Sequence, residues 1–209
     1  MNVQWYFDFI SPFAWLQLPK VLALRERIAV EPVPILFAAV LDKLGQLGPA
    51  EIPGKRDFTY RFVLWQAARD GVPLQFPPAH PFNPLTVLRL CIAAGGGWDA
   101  VQALFAQIWQ RGEAADTADS LRATAATLGI PDVGAALADA AVKQRLRENT
   151  EQALALGIFG VPTLRVGDEL FWGNDATAMA LDYLDDPRCF DTPEYRRIAS
   201  LPEAVRRTR

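Results

Sequence analysis

The sequence predicts an α/β fold in which a β-α-β opening and a β-β-α ending enclose a large all-helical insertion. Three observations predict it. Residues 3–9 alternate with period two, about a hundred central residues contain no convincing strand, and two short apolar runs flank Gly167-Asp168 near the end.

The opening strand places Val3, Trp5, Phe7 and Phe9 on one face and Gln4, Tyr6 and Asp8 on the other. Ser11-Pro12 then supplies an N-cap and a first-turn proline for a helix running to about Arg27. Residues 30–36 read as extended, and Pro32 and Pro34 restrict them to a sheet edge. Helices are expected over 38–47, 54–70, 84–94, 98–110, 117–128 and 133–156, with Asn83-Pro84 and Thr117 as starts and Gly45, Gly71, Gly112 and Gly129 as stops. The ending has strands at 164–166 and 169–172, then a helix capped by Gly173-Asn174-Asp175 and reaching Tyr183 or Leu184. Residues 1–36 and 158–186 are expected to form a discontinuous thioredoxin-like domain, 37–157 the insertion, and 187–209 a mobile or docked tail.

Composition narrows the chemistry. The 209 residues, 51% hydrophobic and 22% charged, suit one globular domain or one domain with an insertion. No apolar stretch reaches the ~18 residues of a membrane span, and the opening MNVQWYFDF lacks the layout of a signal peptide. A cytoplasmic protein is expected. The net charge of -3 argues against nucleic acid as a partner. With Cys91, Cys189 and the sole histidine, His80, there are too few ligands for a zinc site, and no nucleophile elbow, P-loop or dinucleotide fingerprint is present.

In a thioredoxin-like plan the chemical position is the turn from the first strand into the first helix. Ser11-Pro12-Phe13-Ala14 stands there instead of Cys-x-x-Cys, so dithiol exchange is unavailable. A hydroxyl at a helix N-terminus can stabilise an anion supplied by another molecule, such as the thiolate of glutathione; from Ser-Pro alone a plain N-cap is the better reading, and it is the position in the fold that favours the anion site. Val161-Pro162, entering the third strand, reads as a cis proline that leaves backbone groups open to an extended peptide. Asn174 and Asp175 suit the carboxylate and ammonium of a γ-glutamyl group, or merely cap the last helix.

Taken in order, FDFISPFAW, PGKRDFTYR, HPFNPLTVLR, FGVPTLRV and ELFWGND resemble the 2-hydroxychromene-2-carboxylate isomerase family, in the kappa-class glutathione transferase and DsbA-like branch of the thioredoxin superfamily. The resemblance runs from Val3 to about Leu184 and omits the tail. It implies glutathione as cofactor and cis-trans isomerisation of an unsaturated aromatic keto acid in naphthalene-type catabolism, by reversible thiolate addition, bond rotation and elimination. By position, Ser11 contacts the thiol, Val161 and Pro162 hold the peptide, Asn174 and Asp175 hold the γ-glutamyl end, and Lys55 joins the cofactor contacts. Phe13 and Asn83 are assigned to the substrate, and no metal is implied. Ala176 stands where many relatives carry arginine, and dimerisation is suggested by the family alone.

For other residues the structural reading is the plainer one. Lys55 suits a solvated helix start as well as an anion contact, and Asn83 a cap. His80 reads as a loop residue rather than a base, Cys91 as core and Cys189 as incidental. Phe13, Trp15, Phe37, Phe62 and Trp65 build core, with one or two left to wall a pocket. The alternative functions are a kappa-type transferase that conjugates electrophiles, and a non-catalytic glutathione- or peptide-binding module.

Overall fold

The computed structural model describes residues 2–205, so the last four residues of the expected tail lie outside the described residues. β1 (Val3–Phe7), α1 (Pro12–Arg25) and β2 (Val30–Pro34) form the β-α-β opening; β3 (Thr163–Val166), β4 (Glu169–Trp172) and α9 (Thr177–Asp185) form the ending. The four strands make one sheet in the order β2-β1-β3-β4, parallel between β1 and β2 and antiparallel elsewhere.

Between β2 and β3 lie α2 (Phe37–Leu44), α3 (Lys55–Asp70), α4 (Leu85–Ala93), α5 (Trp98–Phe105), α6 (Ala118–Thr127), α7 (Val133–Ala138) and α8 (Ala140–Ala155). The helix expected through Gln110 changes to a π turn at Ala106–Gln110. There the buried Gln107 amide donates to the Ala114 and Ser120 carbonyls and accepts from the Thr124 hydroxyl. The helix expected over 133–156 is two helices. Asp139 leaves helical geometry with ψ 127° and caps α8 by accepting from the Ala141 amide at 2.7 Å. The tail carries a short helix, α10 (Pro193–Ile198), and Phe190 packs against Phe171 and Tyr183. No helix of the described residues is long and apolar enough to cross a membrane.

The alternation of β1 divides the core. Val3, Trp5 and Phe7 join a large cluster with Leu16 and Val21 of α1 and with Leu88, Leu104, Phe105, Trp109 and Leu121 of the insertion. Tyr6 faces a smaller cluster of Val33, Ile35, Val40 and Ala153. At the β2 edge the Ile35 amide donates to the Phe7 carbonyl at 2.9 Å, so the even-numbered positions direct their backbone nitrogens away from β1. Pro32 and Pro34 occupy two of these and cost no ladder bond. The outward carbonyls of Val30 and Pro34 accept from Trp98 Nε1 at 3.2 Å and Asn149 Nδ2 at 3.1 Å.

Two buried polar side chains bind the chain ends of the fold together. The fully buried Gln17 accepts from Trp5 Nε1 at 2.7 Å and donates to the Gly173 carbonyl at 3.0 Å and Thr177 Oγ1 at 2.9 Å. It thereby joins α1, β1 and the approach to α9. Asp8 accepts from the amides of Phe37 at 2.9 Å and Ile10 at 3.1 Å, stapling the end of β1 to the start of α2. Its burial pushes the carboxyl from 3.8 up to about 7, against the pull of the Phe37, Ile10 and Phe9 amides.

Gln17→Leu should cost roughly 2–5 kcal/mol in denaturant unfolding, because it strands the buried Trp5 indole N–H and takes a donor from the Thr177 hydroxyl and the half-buried Gly173 carbonyl. For Asp8 the folded state holds the proton more tightly than the unfolded chain. Its contribution to stability is therefore full below about pH 4 and is lost as pH rises through about 7. Unfolding measured across that window should show stability falling by up to ~1.4 kcal/mol per pH unit. Asp8→Asn should remove that slope while lowering stability at pH 4, since an amide cannot accept from both backbone donors in the same way.

Candidate active site

α1 begins where β1 ends, and the cap geometry sets the centre of the site. Ser11 has extended backbone, with φ -87° and ψ 113°, and its Oγ accepts from the Ala14 amide at 3.3 Å. Pro12 has no amide hydrogen, and the Phe13 amide has no hydrogen-bond partner among the described residues. The 14-residue helix thus presents a hydroxyl hydrogen and an open backbone donor at its positive end. Both residues line a cavity of about 740 Å³.

Across the cavity, the Val161-Pro162 bond is cis as the sequence predicts, and Val161 lines the wall. Neither the amide nor the carbonyl of Val161 makes a hydrogen bond among the described residues. The Pro162 carbonyl instead accepts from the Gly173 amide at 2.8 Å, placing the start of the Asn174-Asp175 turn beside it. Gly173 has φ 97°, where a side chain would be strained and an added Cβ would strike the Asp175 carboxylate.

α9 starts at Thr177, later than the sequence predicts, and no side chain caps it. Asn174 serves it through its carbonyl, which accepts from Thr177 Oγ1 at 2.7 Å. The buried Asn174 side chain turns the other way, and its Oδ1 accepts from Lys20 Nζ at 3.0 Å. Its Nδ2 remains as a donor. Asp175 is exposed. These two residues lie on both the main cavity and an adjoining pocket of about 320 Å³ lined by Lys20, Trp65, Gln66, Arg69 and Asp70. Gln66 also faces both spaces, and its Oε1 is buried without a hydrogen-bond partner. Arg69 rests over the Trp65 ring at 5.3 Å and makes no ion pair among the described residues.

The rest of the main cavity is apolar, walled by Phe13, Phe37, Leu41, Phe58, Phe62 and Phe82. Among the described residues no lysine or arginine lines it, and its carboxyl groups are Asp8, Glu51 and Asp175. Asn83 lies on the wall while its Oδ1 accepts from the Leu85 amide at 3.1 Å, so it both faces the cavity and caps α4. Lys55 is exposed at the start of α3, outside the lining. Trp15 is buried, with its indole donating to the Pro73 carbonyl at 2.8 Å, and Trp65 is exposed.

Among the wall residues that sequence reasoning did not assign to the site are Gln66, Phe58 and Phe82 and the titratable His80 and Asp8. The position of Asp8 three residues before Ser11, on a strand with both faces buried, was the available signal. His80 had none, because it reaches the site through a loop. Cys91 is buried in α4 with its thiol pushed up to about 12, and neither cysteine lines the cavity. No group of three or more His, Cys, Asp or Glu that could hold a metal occurs among the described residues.

Comparison with known proteins agrees with this geometry. The chain matches the DSBA-like thioredoxin domain over residues 2–185. A 2-hydroxychromene-2-carboxylate isomerase of Sphingobium xenophagum is 31% identical over 194 residues, covering 88% of this chain and 98% of the relative. A glutathione S-transferase kappa 2 of Caenorhabditis elegans is 24% identical, over 88% of this chain and 92% of the relative. The solved structure of a 2-hydroxychromene-2-carboxylate isomerase superposes with a TM-score of 0.77 at 28% identity, covering 97% of this chain and all of that one. The redox position in this fold holds Ser11 rather than a cysteine, and the chain belongs to the 2-hydroxychromene-2-carboxylate isomerase family, within the DsbA-like branch of the thioredoxin fold.

Proposed function

We propose that the protein is a glutathione-dependent cis-trans isomerase of an unsaturated aromatic keto acid, of the 2-hydroxychromene-2-carboxylate to hydroxybenzylidenepyruvate type, acting in aromatic-hydrocarbon catabolism. One observation carries the reading. A helix N-terminus bearing a hydroxyl, an unbonded stretch of backbone and a pocket holding both signs of charge converge on a single apolar cavity.

The residues present fit glutathione. The buried, unpartnered Gln66 Oε1 and the Asp175 carboxylate suit an ammonium group, while Arg69 and Asn174 Nδ2 suit the α-carboxylate beside it. The open Val161 backbone suits the peptide. Ser11 Oγ–H and the Phe13 amide then stand where the sulfur would lie, favouring its ionised form. When bound, glutathione supplies a thiolate that adds reversibly to a conjugated carbon, so that the neighbouring bond becomes single and turns before elimination.

The protein's part is placement. Phe13, Phe37, Phe58, Phe62 and Phe82 supply apolar surface that holds an aromatic ring against the sulfur position. With no cation in the lining, a substrate carboxylate belongs toward the first turn of α3, where Lys55 and Arg56 stand one turn before Phe58 and Thr59. A second reading, conjugation of glutathione to an electrophile, is favoured by the kappa-class relative. Product analysis separates the two: isomerisation returns free glutathione and transfer consumes it.

Ser11→Ala should raise the pKa of the bound thiol and cut turnover near neutral pH by ~10–100-fold, with glutathione affinity largely kept. Part of the loss should return at higher pH. A pH–rate profile at saturating glutathione, with thiolate absorbance, checks it, and unchanged values would reduce Ser11 to a helix cap. Arg69→Ala and Asp175→Ala should each weaken glutathione binding by roughly tenfold in calorimetry without lowering the melting temperature of the free protein. An absence of any binding heat in the parent at millimolar glutathione would end the functional reading.

A further inference from the structure

His80 belongs to the cavity wall, yet the scheme above gives it nothing to do. It lies in the loop between α3 and α4, half-buried among the rings of Phe76, Phe82 and Trp109. Its Nε2 is 2.8 Å from the carbonyl oxygen of Ile10, the residue before Ser11. A carbonyl can only accept, so Nε2 carries the hydrogen, and in the neutral ring Nδ1 is an acceptor. That Nδ1 lies 2.7 Å from the Tyr60 hydroxyl, which also reaches the carbonyl of His80 itself at 2.7 Å. Arg56 donates to the same carbonyl at 2.9 Å and to the Tyr60 oxygen at 3.2 Å.

The Tyr60 hydroxyl carries a single hydrogen, shared between Nδ1 and the His80 carbonyl, so both ring nitrogens face partners within the protein. The charged groups around it are Arg56 on α3 and, through Ile10, Asp8 on the strand side. Burial, with Arg56 adding to it, holds the imidazole below its ordinary pKa against the pull of the Ile10 carbonyl, which keeps the ring neutral.

The other end of the bond that His80 grips is fixed as well. The Ser11 amide donates to the Asp8 carbonyl at 3.1 Å, so the Ile10–Ser11 peptide plane is pinned at its oxygen by His80 and at its N–H by Asp8. The orientation of that plane determines where Ser11 projects Oγ and how the first amides of α1 face the cavity. We propose that His80 is a positioning residue: its ring, oriented by Tyr60, locks the Ile10–Ser11 peptide so that the Ser11 hydroxyl and the Phe13 amide converge on one point. The consequence for catalysis rests on the thiol-binding reading of Ser11, whereas the lock itself does not.

The test compares the parent with His80→Phe, which removes the donor, and His80→Gln, whose amide N–H restores one. Amide hydrogen exchange reads the lock without any ligand. His80→Phe should speed exchange at Ser11 by about tenfold while leaving the amides of β3 unchanged, and His80→Gln should recover part of this. With reduced glutathione and 2-hydroxychromene-2-carboxylate, His80→Phe should lower kcat by about tenfold and raise the thiol pKa, with the KM for glutathione changed by less than about twofold. Unchanged exchange at Ser11 overturns the proposal whatever the kinetics show, as does a loss confined to KM. If the parent binds no glutathione but exchange responds as stated, the functional reading fails and the lock stands. Should His80→Phe not fold, Tyr60→Phe carries the test: releasing Nδ1 should speed exchange at Ser11 in the same direction, and no change there overturns the proposal.

Discussion

The amide of Gln17 is the interaction on which the geometry of the site depends. Its acceptor is used by Trp5 of β1 and its donors by Gly173 and Thr177, so one buried side chain on α1 ties the first strand to the approach to α9. Ser11 lies six residues before it on the same stretch of chain, and Asn174 and Asp175 immediately follow Gly173. The two halves of the candidate site come from opposite ends of the sequence and are joined by buried and half-buried hydrogen bonds, which are stiffer there than in water. Lys20, one turn further along α1, adds a bond to the Asn174 side chain from the solvent side. The distance between the helix N-terminus and the charged pocket is thereby a property of the core.

That rigidity suits a site whose own side chains are poor nucleophiles. A serine hydroxyl without a base, a buried cysteine in another helix, and a histidine turned to the Ile10 carbonyl and the Tyr60 hydroxyl leave the protein to orient and to stabilise charge. On the proposed function this division is economical: reactivity arrives with the ligand, and the protein supplies donors at a helix end, an exposed run of backbone and an apolar wall of aromatic rings. Asp8 fits the same picture. Held by amides alone and raised to about 7 by burial, it acts on the loop that carries Ser11 as a structural staple.

Much of this was legible in the chain. Alternation along residues 3–9, proline in the edge strand and the Gly167-Asp168 hairpin gave the strand order its two ends, and Ser11-Pro12 marked the helix start because capping is a local matter. The break at Asp139 was not legible, since Asp fits a helix interior in pattern and leaves it here only because its carboxylate caps the next helix. The π turn at Gln107 escaped for a similar reason: three tertiary partners draw its amide inward, and none is near it in sequence except Ala114. His80 reads from the sequence as a loop residue rather than a base, and it lies in a loop; what the sequence hides is its partner, since only the fold brings it seventy residues back to the carbonyl of Ile10. Lys55 sits in a suggestive motif, and the fold leaves it exposed at the start of α3, outside the cavity lining.

The treatment of the β2 edge has a consequence for how this molecule can meet others. An open strand edge is a template onto which a foreign strand can add, and that is the route to aggregation and to strand-exchanged assemblies. Here the prolines delete two outward donors, and Trp98 and Asn149 occupy two of the outward acceptors, so an incoming chain would find almost no ladder to continue. Growth of the sheet is therefore one-sided: whatever pairs with it in register must do so along β4, whose last residue, Trp172, lines the candidate site.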